Sequence, residues 1–306
     1  MKQNSTAVVT KKAWTSARVK KLIVDIIIYL FIGLAALSCL LPFIHVLAKS
    51  LSDEAYVIAN KIFLIPKEFT ISAYQKILAD ASIIQSLGVS IIVTVAFTIL
   101  GMIITICAAY PLSRKSLKGR SVLTFIFMFT MYFTGGIIPE YLLMHSLGLL
   151  DKLLVLILPL AFSPYNLLIM KTSLQSGIPD SLIESAHMDG ASQLRILWSI
   201  VIPLSKPIIA TLSLFYAVGR WNAYQDALFY IKQNVAIRPL QLKLYYLVVS
   251  ATESFQAAVT EGAAQLTNPE VLKASCIIFA TLPIVCVYPF VQKYFVQGTM
   301  IGSVKG

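Results

Sequence analysis

The sequence predicts an all-α membrane protein with six transmembrane helices, both termini cytoplasmic, and a short cytoplasmic helical segment between spans four and five. Three observations carry this. Of 306 residues, 58% are hydrophobic and 13% are charged, with a mean hydropathy of +0.79, whereas a soluble domain carries about 25% charged residues. The apolar residues gather in six long runs, and the basic residues gather in alternate connections between them. A chain this apolar cannot bury its surface in a soluble core of this size. It also has too little charge for disorder.

The runs lie at about 22–44, 86–110, 121–139, 152–170, 207–231 and 275–296. Each reaches, or nearly reaches, the ~20 residues that cross about 30 Å of hydrocarbon as a helix. Lipid cannot satisfy exposed backbone groups, so helices or closed barrels are required. The runs far exceed the roughly ten-residue alternating strands of a barrel. The first run has a basic flank (Lys11, Lys12, Arg18, Lys20, Lys21), and Ala36-Leu37-Ser38-Cys39 loosely resembles a lipoprotein cleavage site. It continues to Ile44, longer than the apolar part of a signal peptide, and so reads as an uncleaved span.

Orientation follows from where Lys and Arg collect. The segment 1–21 carries six of them. Arg114, Lys115, Lys118 and Arg120 follow span two; Lys171, Arg195 and Lys206 follow span four; Lys293 and Lys305 close the chain. The segment 45–85 is balanced instead, with Lys49, Lys61, Lys67 and Lys76 against Asp53, Glu54, Glu68 and Asp80. This predicts a cytoplasmic segment 1–21, a transmembrane domain 22–296 with external loops at about 45–85 and 232–274, and a cytoplasmic tail 297–306. The net charge of +11 is then a topology signal, and nucleic acid is not an expected partner. Cys39, Cys107, Cys276 and Cys286 sit inside apolar runs without metal-ligand spacing and read as small buried hydrophobes. His45, His145 and His187 do not cluster, so they read as interfacial or surface residues and no metal is expected.

The connection 178–203 does not look like a loop. Gly177 stops one helix, and Pro179 suits the start of the next. Residues 180–188 can form a short helix anchored by Leu182, Ile183 and Ala186, and Gly190 fits the left-handed position that ends it. A second helix would run from Ala191 to about Val201, before Pro203 breaks it. Ser185 and Ala186 are small enough for another surface to approach closely, and Glu184 offers a charge to a basic partner. Periodicity alone leaves open a hairpin that merely covers the membrane surface.

Glu184-Ser185-Ala186, Asp189-Gly190-Ala191 and Ile202-Pro203 resemble the signature of binding-protein-dependent ABC importer permeases. That signature is a Glu-Ala-Ala triplet, a glycine four residues after the last alanine, and an Ile-x-Leu-Pro ending. Ser185 replaces the middle alanine, and Ile202 stands where the pattern has leucine. Arg220-Trp221-Asn222-Ala223-Tyr224 and the tail from Gln292 to Gly306 resemble carbohydrate-uptake permeases, specifically the second permease subunit of maltose-type importers and, nearer still, permeases for complex oligosaccharides. The resemblance implies six spans, a second homologous permease subunit, two copies of an ABC ATPase, an extracellular or periplasmic solute-binding protein, a carbohydrate substrate and a bacterial-type cell membrane. It also implies that the short helix is a coupling helix seated on the ATPase, with Glu184, Ser185, Ala186, Met188, Asp189 and Gly190 as its contact and bend residues.

The chain has no Gly-x-x-x-x-Gly-Lys-Ser/Thr stretch to cradle nucleotide phosphates. No cofactor is expected on this chain, and ATP and Mg belong on the partner ATPase. Arg220 and Asp226 in span five, with Trp221, Asn222, Tyr224 and Gln225 between them, are the expected substrate-pathway residues. A charge at bilayer depth costs about 2.5–3.5 kcal/mol on insertion scales and therefore faces a cavity or a partner. Aromatic rings can stack on sugar faces, and Asn and Gln can bind hydroxyls. The bland alternative is that Arg220 and Asp226 simply pair near the outer end. Asn166 joins the pathway set, with Tyr165, Tyr132 and Glu140 as weaker members. An ion-coupled secondary transporter would show inverted repeats and intramembrane carboxylates. An intramembrane enzyme would need a nucleophile and base within the spans. This chain shows little of either.

Overall fold

The computed structural model describes residues 16–261 and 269–303. Lys11 and Lys12 of the basic flank, Gly262 and Asn268 of the second connection, and the last three residues of the tail lie outside them. Helix α1 (Ser16–Ser50) exposes nearly its whole apolar surface from Leu22 to Leu47 and packs on the last helix. Two short helices follow. Asp53 caps α2 (Glu54–Ile58) by accepting from the Ala55 amide at 2.9 Å, and α3 (Ser72–Ala79) buries Ala73 and Ile77. Asp80 then caps α4 (Ala81–Ser113), accepting from the Ser82 amide at 2.9 Å and its hydroxyl at 2.6 Å.

Helix α4 is the central post of the molecule. Its buried residues Ile83, Ser86, Ser90, Val93, Phe97, Gly101, Thr105 and Ala109 recur every three or four positions, so they form one face. Several are small, which lets neighbouring backbones approach closely inside a membrane. A Cβ added at Gly101 would lie 2.8 Å from the Ala161 carbonyl oxygen and 2.9 Å from Tyr216 Cε1.

The next spans depart from the straight helices expected. The run 121–139 is α5 (Arg120–Tyr132) and α6 (Ile137–Ser146), meeting at 108°. The break falls at Gly135-Gly136, where Gly136 has φ +86°, a backbone that side chains resist. The run 152–170 is not one helix either. A single 3₁₀ turn (Leu153–Leu156) leads through Pro159 to α7 (Pro164–Gly177), capped by Ser163. Proline cannot supply interior helix donors, which explains the interruption. This irregular stretch is tolerated because Val155, Leu156 and Ala161 are buried in protein rather than lipid.

Helix α8 (Asp180–Met188) matches the expected short helix. The expected break at Pro203 does not occur. Helix α9 (Gln193–Ile196) passes through a π turn at Leu197–Val201 into α10 (Ile202–Leu204), with Pro203 in its first turn. The extra residue of a π turn changes the backbone register ahead of the proline. The chain bends by 82° only at Ser205. Helix α11 (Lys206–Asn222) ends before α12 (Gln225–Tyr230), so the fifth run is also interrupted. The connection 232–274, read as a loop, contains the 22-residue helix α13 (Leu240–Glu261), whose first half packs on α4 and on α14 (Pro269–Ser303). Leu240, Leu242 and Leu244 near its start are buried.

Among the described residues, three helices are long and apolar enough to cross a membrane alone, and two bent pairs bring the number to five. Cys276 is buried as expected; Cys39, Cys107 and Cys286 are exposed on the chain's outer, apolar faces, because an apolar run in a membrane protein need not face protein. The main core runs from α8 and α9 through α7 and α4 to Tyr216 on α11.

Candidate functional site

The segment 178–203 is built by its own local sequence. Ile183 and Ala186 are buried beneath α8, while Glu184, Ser185, Met188 and Asp189 are exposed, Met188 at 89%. Leu182, expected to help anchor the helix, is exposed at 40%, because it lies one position off the buried stripe. The helix ends in a double-bonded turn: Ala191 N–H donates to Ala186 O at 3.0 Å and Gly190 N–H to His187 O at 3.0 Å. Gly190 has φ +78°, which this turn requires. Ser192 then caps α9, and Gln193 ties the bend together by accepting from the Tyr110 hydroxyl at 2.8 Å and donating to His187 Nε2 at 2.9 Å. At the other end Asp180 pairs with Lys115 at 3.0 Å and Arg114 at 3.8 Å. The Lys115 ammonium, first by its hydrogen bond and then by its charge, holds the Asp180 carboxyl below the usual carboxylate range.

The second constellation lies where α11 gives way to α12. Arg220 donates to both Asp226 oxygens, at 2.5 and 2.9 Å, and to the Leu156 carbonyl at 3.2 Å. Its guanidinium also stands over the Phe97 ring at 5.7 Å. The side chains are 4% and 14% exposed, so the pair is almost dry. Burying two ions costs several kcal/mol each and is repaid only by good geometry and further hydrogen bonds, both of which are present. Arg220 is 14 residues beyond Lys206, about 21 Å along a helix. It therefore lies near the end of α11 remote from the bend at Ser205.

The expected pathway residues do not form one site. Trp221 is corrected from a sugar-stacking ring to a core residue: it is 7% exposed, and its indole N–H donates to the Ala280 carbonyl at 3.0 Å. Tyr224 stacks on Tyr245, with centroids 5.2 Å apart. Asn222 and Gln225 are exposed, Asn166 is buried at the start of α7, and Tyr132, Glu140 and Tyr165 are exposed elsewhere. Two arrangements were not expected. The Tyr216 hydroxyl meets Thr105 Oγ1 at 2.7 Å and accepts from the Ser163 amide at 3.1 Å, joining α4, α11 and the start of α7. Asp151, at φ +55°, accepts three successive amides, Lys232, Gln233 and Asn234, at 2.8, 2.8 and 3.1 Å. A lone hydroxyl or carboxylate in an apolar run is the only sequence signal for either. Among the described residues no cluster of His, Cys, Asp and Glu could hold a metal.

A bundle of long and broken apolar helices, with an exposed helical bend and a dry ion pair well apart from it, marks a multi-pass membrane protein. The chain belongs to the family of binding-protein-dependent transport system inner membrane components, whose pattern matches residues 108–301. It is 44% identical over 288 residues to the polygalacturonan/rhamnogalacturonan transport system permease protein of Bacillus subtilis, covering 94% of this chain and all of that one. It is 28% identical to the melibiose/raffinose/stachyose import permease protein of the same organism, over 92% of this chain and 96% of that one. A subunit in the crystal structure of a bacterial ABC transporter involved in the import of the acidic polysaccharide alginate superposes with a TM-score of 0.77 at 34% identity, covering 93% of this chain and 100% of that one. The chain is accordingly a permease subunit of an ABC importer in the cell membrane, and ATP hydrolysis resides on a separate subunit.

Proposed function

We propose that this permease forms half of a translocation pathway for an oligosaccharide, with an acidic oligosaccharide the leading class. Two of the similar proteins, the polygalacturonan/rhamnogalacturonan permease and the alginate importer, are named for acidic polysaccharides. In this reading the chain crosses the membrane six times with both termini cytoplasmic, and a second permease of related fold forms the other half. Two ATPase copies carry ATP and Mg, and an external solute-binding protein delivers the sugar to the connections 45–85 and 232–274. Helix α8 is the coupling helix. Glu184 makes the charged contact with the ATPase, Ser185 and Ala186 let its surface approach, Met188 and Asp189 extend the contact, and Gly190 sets the bend. Closure of the ATPase pair then moves the bundle as a rigid body. Arg220 and Asp226 hold the outer part of the pathway in shape, while Asn222, Tyr224 and Gln225 beside them, and Asn166 deeper in, remain the candidates to face sugar.

The observation that carries this reading is the exposed polar face of α8, seated on a core that continues without interruption to Tyr216 and Phe97, the latter beneath Arg220. The test is Glu184→Lys in the complex reconstituted with its partners. Sugar-stimulated ATPase activity should be lost while the complex stays assembled; full activity would overturn the assignment. A binding screen of the cognate solute-binding protein, uronic-acid oligosaccharides against neutral ones, tests the substrate class. Deleting about residues 255–268, part of which lies outside the described residues, should weaken stimulation by the binding protein.

A further inference from the structure

A cavity of about 300 Å³ opens beside the first residue of α8 and is lined by Arg114, Lys115, Arg120, Gln175, Ser176 and Asp180 among others. That is far more room than the roughly 10–15 Å³ a single water needs. Three of these side chains are cationic and one is anionic. Asp180 is already engaged by Lys115 at 3.0 Å, and its approach to Arg114, at 3.8 Å, is too long for a hydrogen bond. Arg114 is 12% exposed, held by its contact with the Tyr110 ring at 5.2 Å. Its Nε and Nη2, and Nη1 of Arg120, are buried with no hydrogen-bond partner. Buried charged donors are seldom left unmade, because each loses its water without replacement. The first residues of α5 and α8, Arg120 and Asp180, both line the cavity, and neither helix has a side-chain cap there. Two helix N-termini, each with unpaired amides and partial positive charge, therefore adjoin it.

We propose that this cavity binds a phosphate group, the anion whose tetrahedral oxygens suit forked guanidinium donors, supplied by the headgroup of an anionic phospholipid or by a free phosphate. Planar guanidinium groups bind phosphate oxygens two at a time, and the Gln175 side chain adds a neutral donor to the lining. Basic pockets between helices on the cytoplasmic side of a membrane meet the headgroups of anionic lipids. The site goes beyond the transport reading and rests on it only for the cytoplasmic placement of this end. Its position matters, because the bound anion would compete with Asp180 for Lys115 and Arg114 and so touch the root of α8.

The full transporter, purified with its partner subunits in neutral detergent and stripped of lipid, provides the test. Adding phosphatidylglycerol should raise the thermal unfolding midpoint by several degrees, since a ligand that binds only the folded state stabilises it, and phosphatidylcholine should not. In Arg114→Gln/Arg120→Gln the shift should vanish, and phosphatidylglycerol retained in native mass spectra should fall roughly tenfold, as expected when bidentate charged contacts are removed. Lys61→Gln, on the opposite side, should leave both readouts unchanged. Protection by inorganic phosphate equal to that by the lipid supports the phosphate site and assigns the soluble source. No shift with either anion, or undiminished lipid retention in the double variant, overturns the proposal. Should the double variant fail to assemble, Arg120→Gln alone gives the same readout. None of these measurements depends on which sugar is carried.

Discussion

At the scale of single residues, Asp226 and Asp151 are carboxylates satisfied in different ways. Asp226 is satisfied by a dry, bidentate Arg220. Removing either partner leaves an uncompensated buried charge, a loss of about 3–5 kcal/mol, whereas replacing both with apolar groups of similar size is often neutral. Arg220→Met and Asp226→Leu should therefore each sharply lower the thermal stability of the assembled complex, and the double variant should recover most of it. A double variant as unstable as the worse single would refute the pairing argument. Asp151 is satisfied instead by three backbone amides. The hydrogen bond from Asn234, reinforced by those from Gln233 and Lys232 and by Arg238, holds its carboxyl below the usual range despite some desolvation. A depressed folded-state pKa contributes stability that is present above the unfolded value, near 4, and disappears as pH falls through the folded one. Lowering pH below about 4 should thus loosen the 231–238 turn, seen as faster proteolysis or amide exchange there. Asp151→Asn, which does not titrate, should lack that acid step.

At the scale of elements, the sequence was legible where local chemistry decides the backbone and silent where tertiary packing does. Helix α8 and its ending could be read residue by residue, because Pro179 opens it and Gly190 supplies the left-handed residue. The departures share one cause. Hydropathy reports which segments avoid water, and it does so equally for a straight span, a 3₁₀ turn buried against α4, or the broken pair α5 and α6. Gly135-Gly136 and Pro159 lie inside runs read as unbroken spans, and only the packing of Leu156 and Ala161 shows why the break at Pro159 is tolerated. Helix α13 was missed for another reason: its apolar stripe, Leu240, Leu244, Leu247, Val248 and Ala251, is confined to its first half and lies in a segment of mixed composition. The indole of Trp221 read as a sugar platform because polarity beside it suggested a pathway, while its actual partner, the Ala280 carbonyl, is 59 residues away. Gly190 offers the sharpest test at this scale. No heavy atom lies within 4 Å of an added Cβ, so the cost of substitution is conformational. Gly190→Ala should lose about 1–2 kcal/mol at the turn and slow coupled transport. Gly190→Asn should lose less, because asparagine tolerates that region better, and Gly190→Pro should abolish coupling. Equal transport by all three would show that the bend is not required.

At the scale of the whole molecule, a motion imposed on α8 can reach the Arg220 region only if the material between them is stiff. The main core supplies that stiffness, because close-packed interiors transmit strain rather than absorb it. One tight joint in it is where α4, α11 and the start of α7 meet: Gly101 lies against Ala161 and Tyr216, Phe97 packs edge-on to Tyr216 at 5.9 Å, and the Tyr216 hydroxyl bridges Thr105 and the Ser163 amide. One of the three atoms crowding an added Cβ at Gly101 is a backbone carbonyl oxygen, which cannot swing aside as a side-chain tip does. Gly101→Ala must therefore push α11 or residues 158–163 outward, an overpacking loss of about 1–3 kcal/mol. Helix α8 itself is untouched, so the variant should still assemble with its ATPase. What should change is the yield: the reconstituted complex should hydrolyse ATP while importing less sugar per ATP. Gly101→Leu should exaggerate the defect, and Tyr216→Phe, which removes the bridge without adding volume, should produce a milder form of it. Unchanged transport per ATP in Gly101→Leu, measured in assembled complex, would mean that motion bypasses this joint and that α8 and the Arg220–Asp226 pair are connected through the partner permease instead.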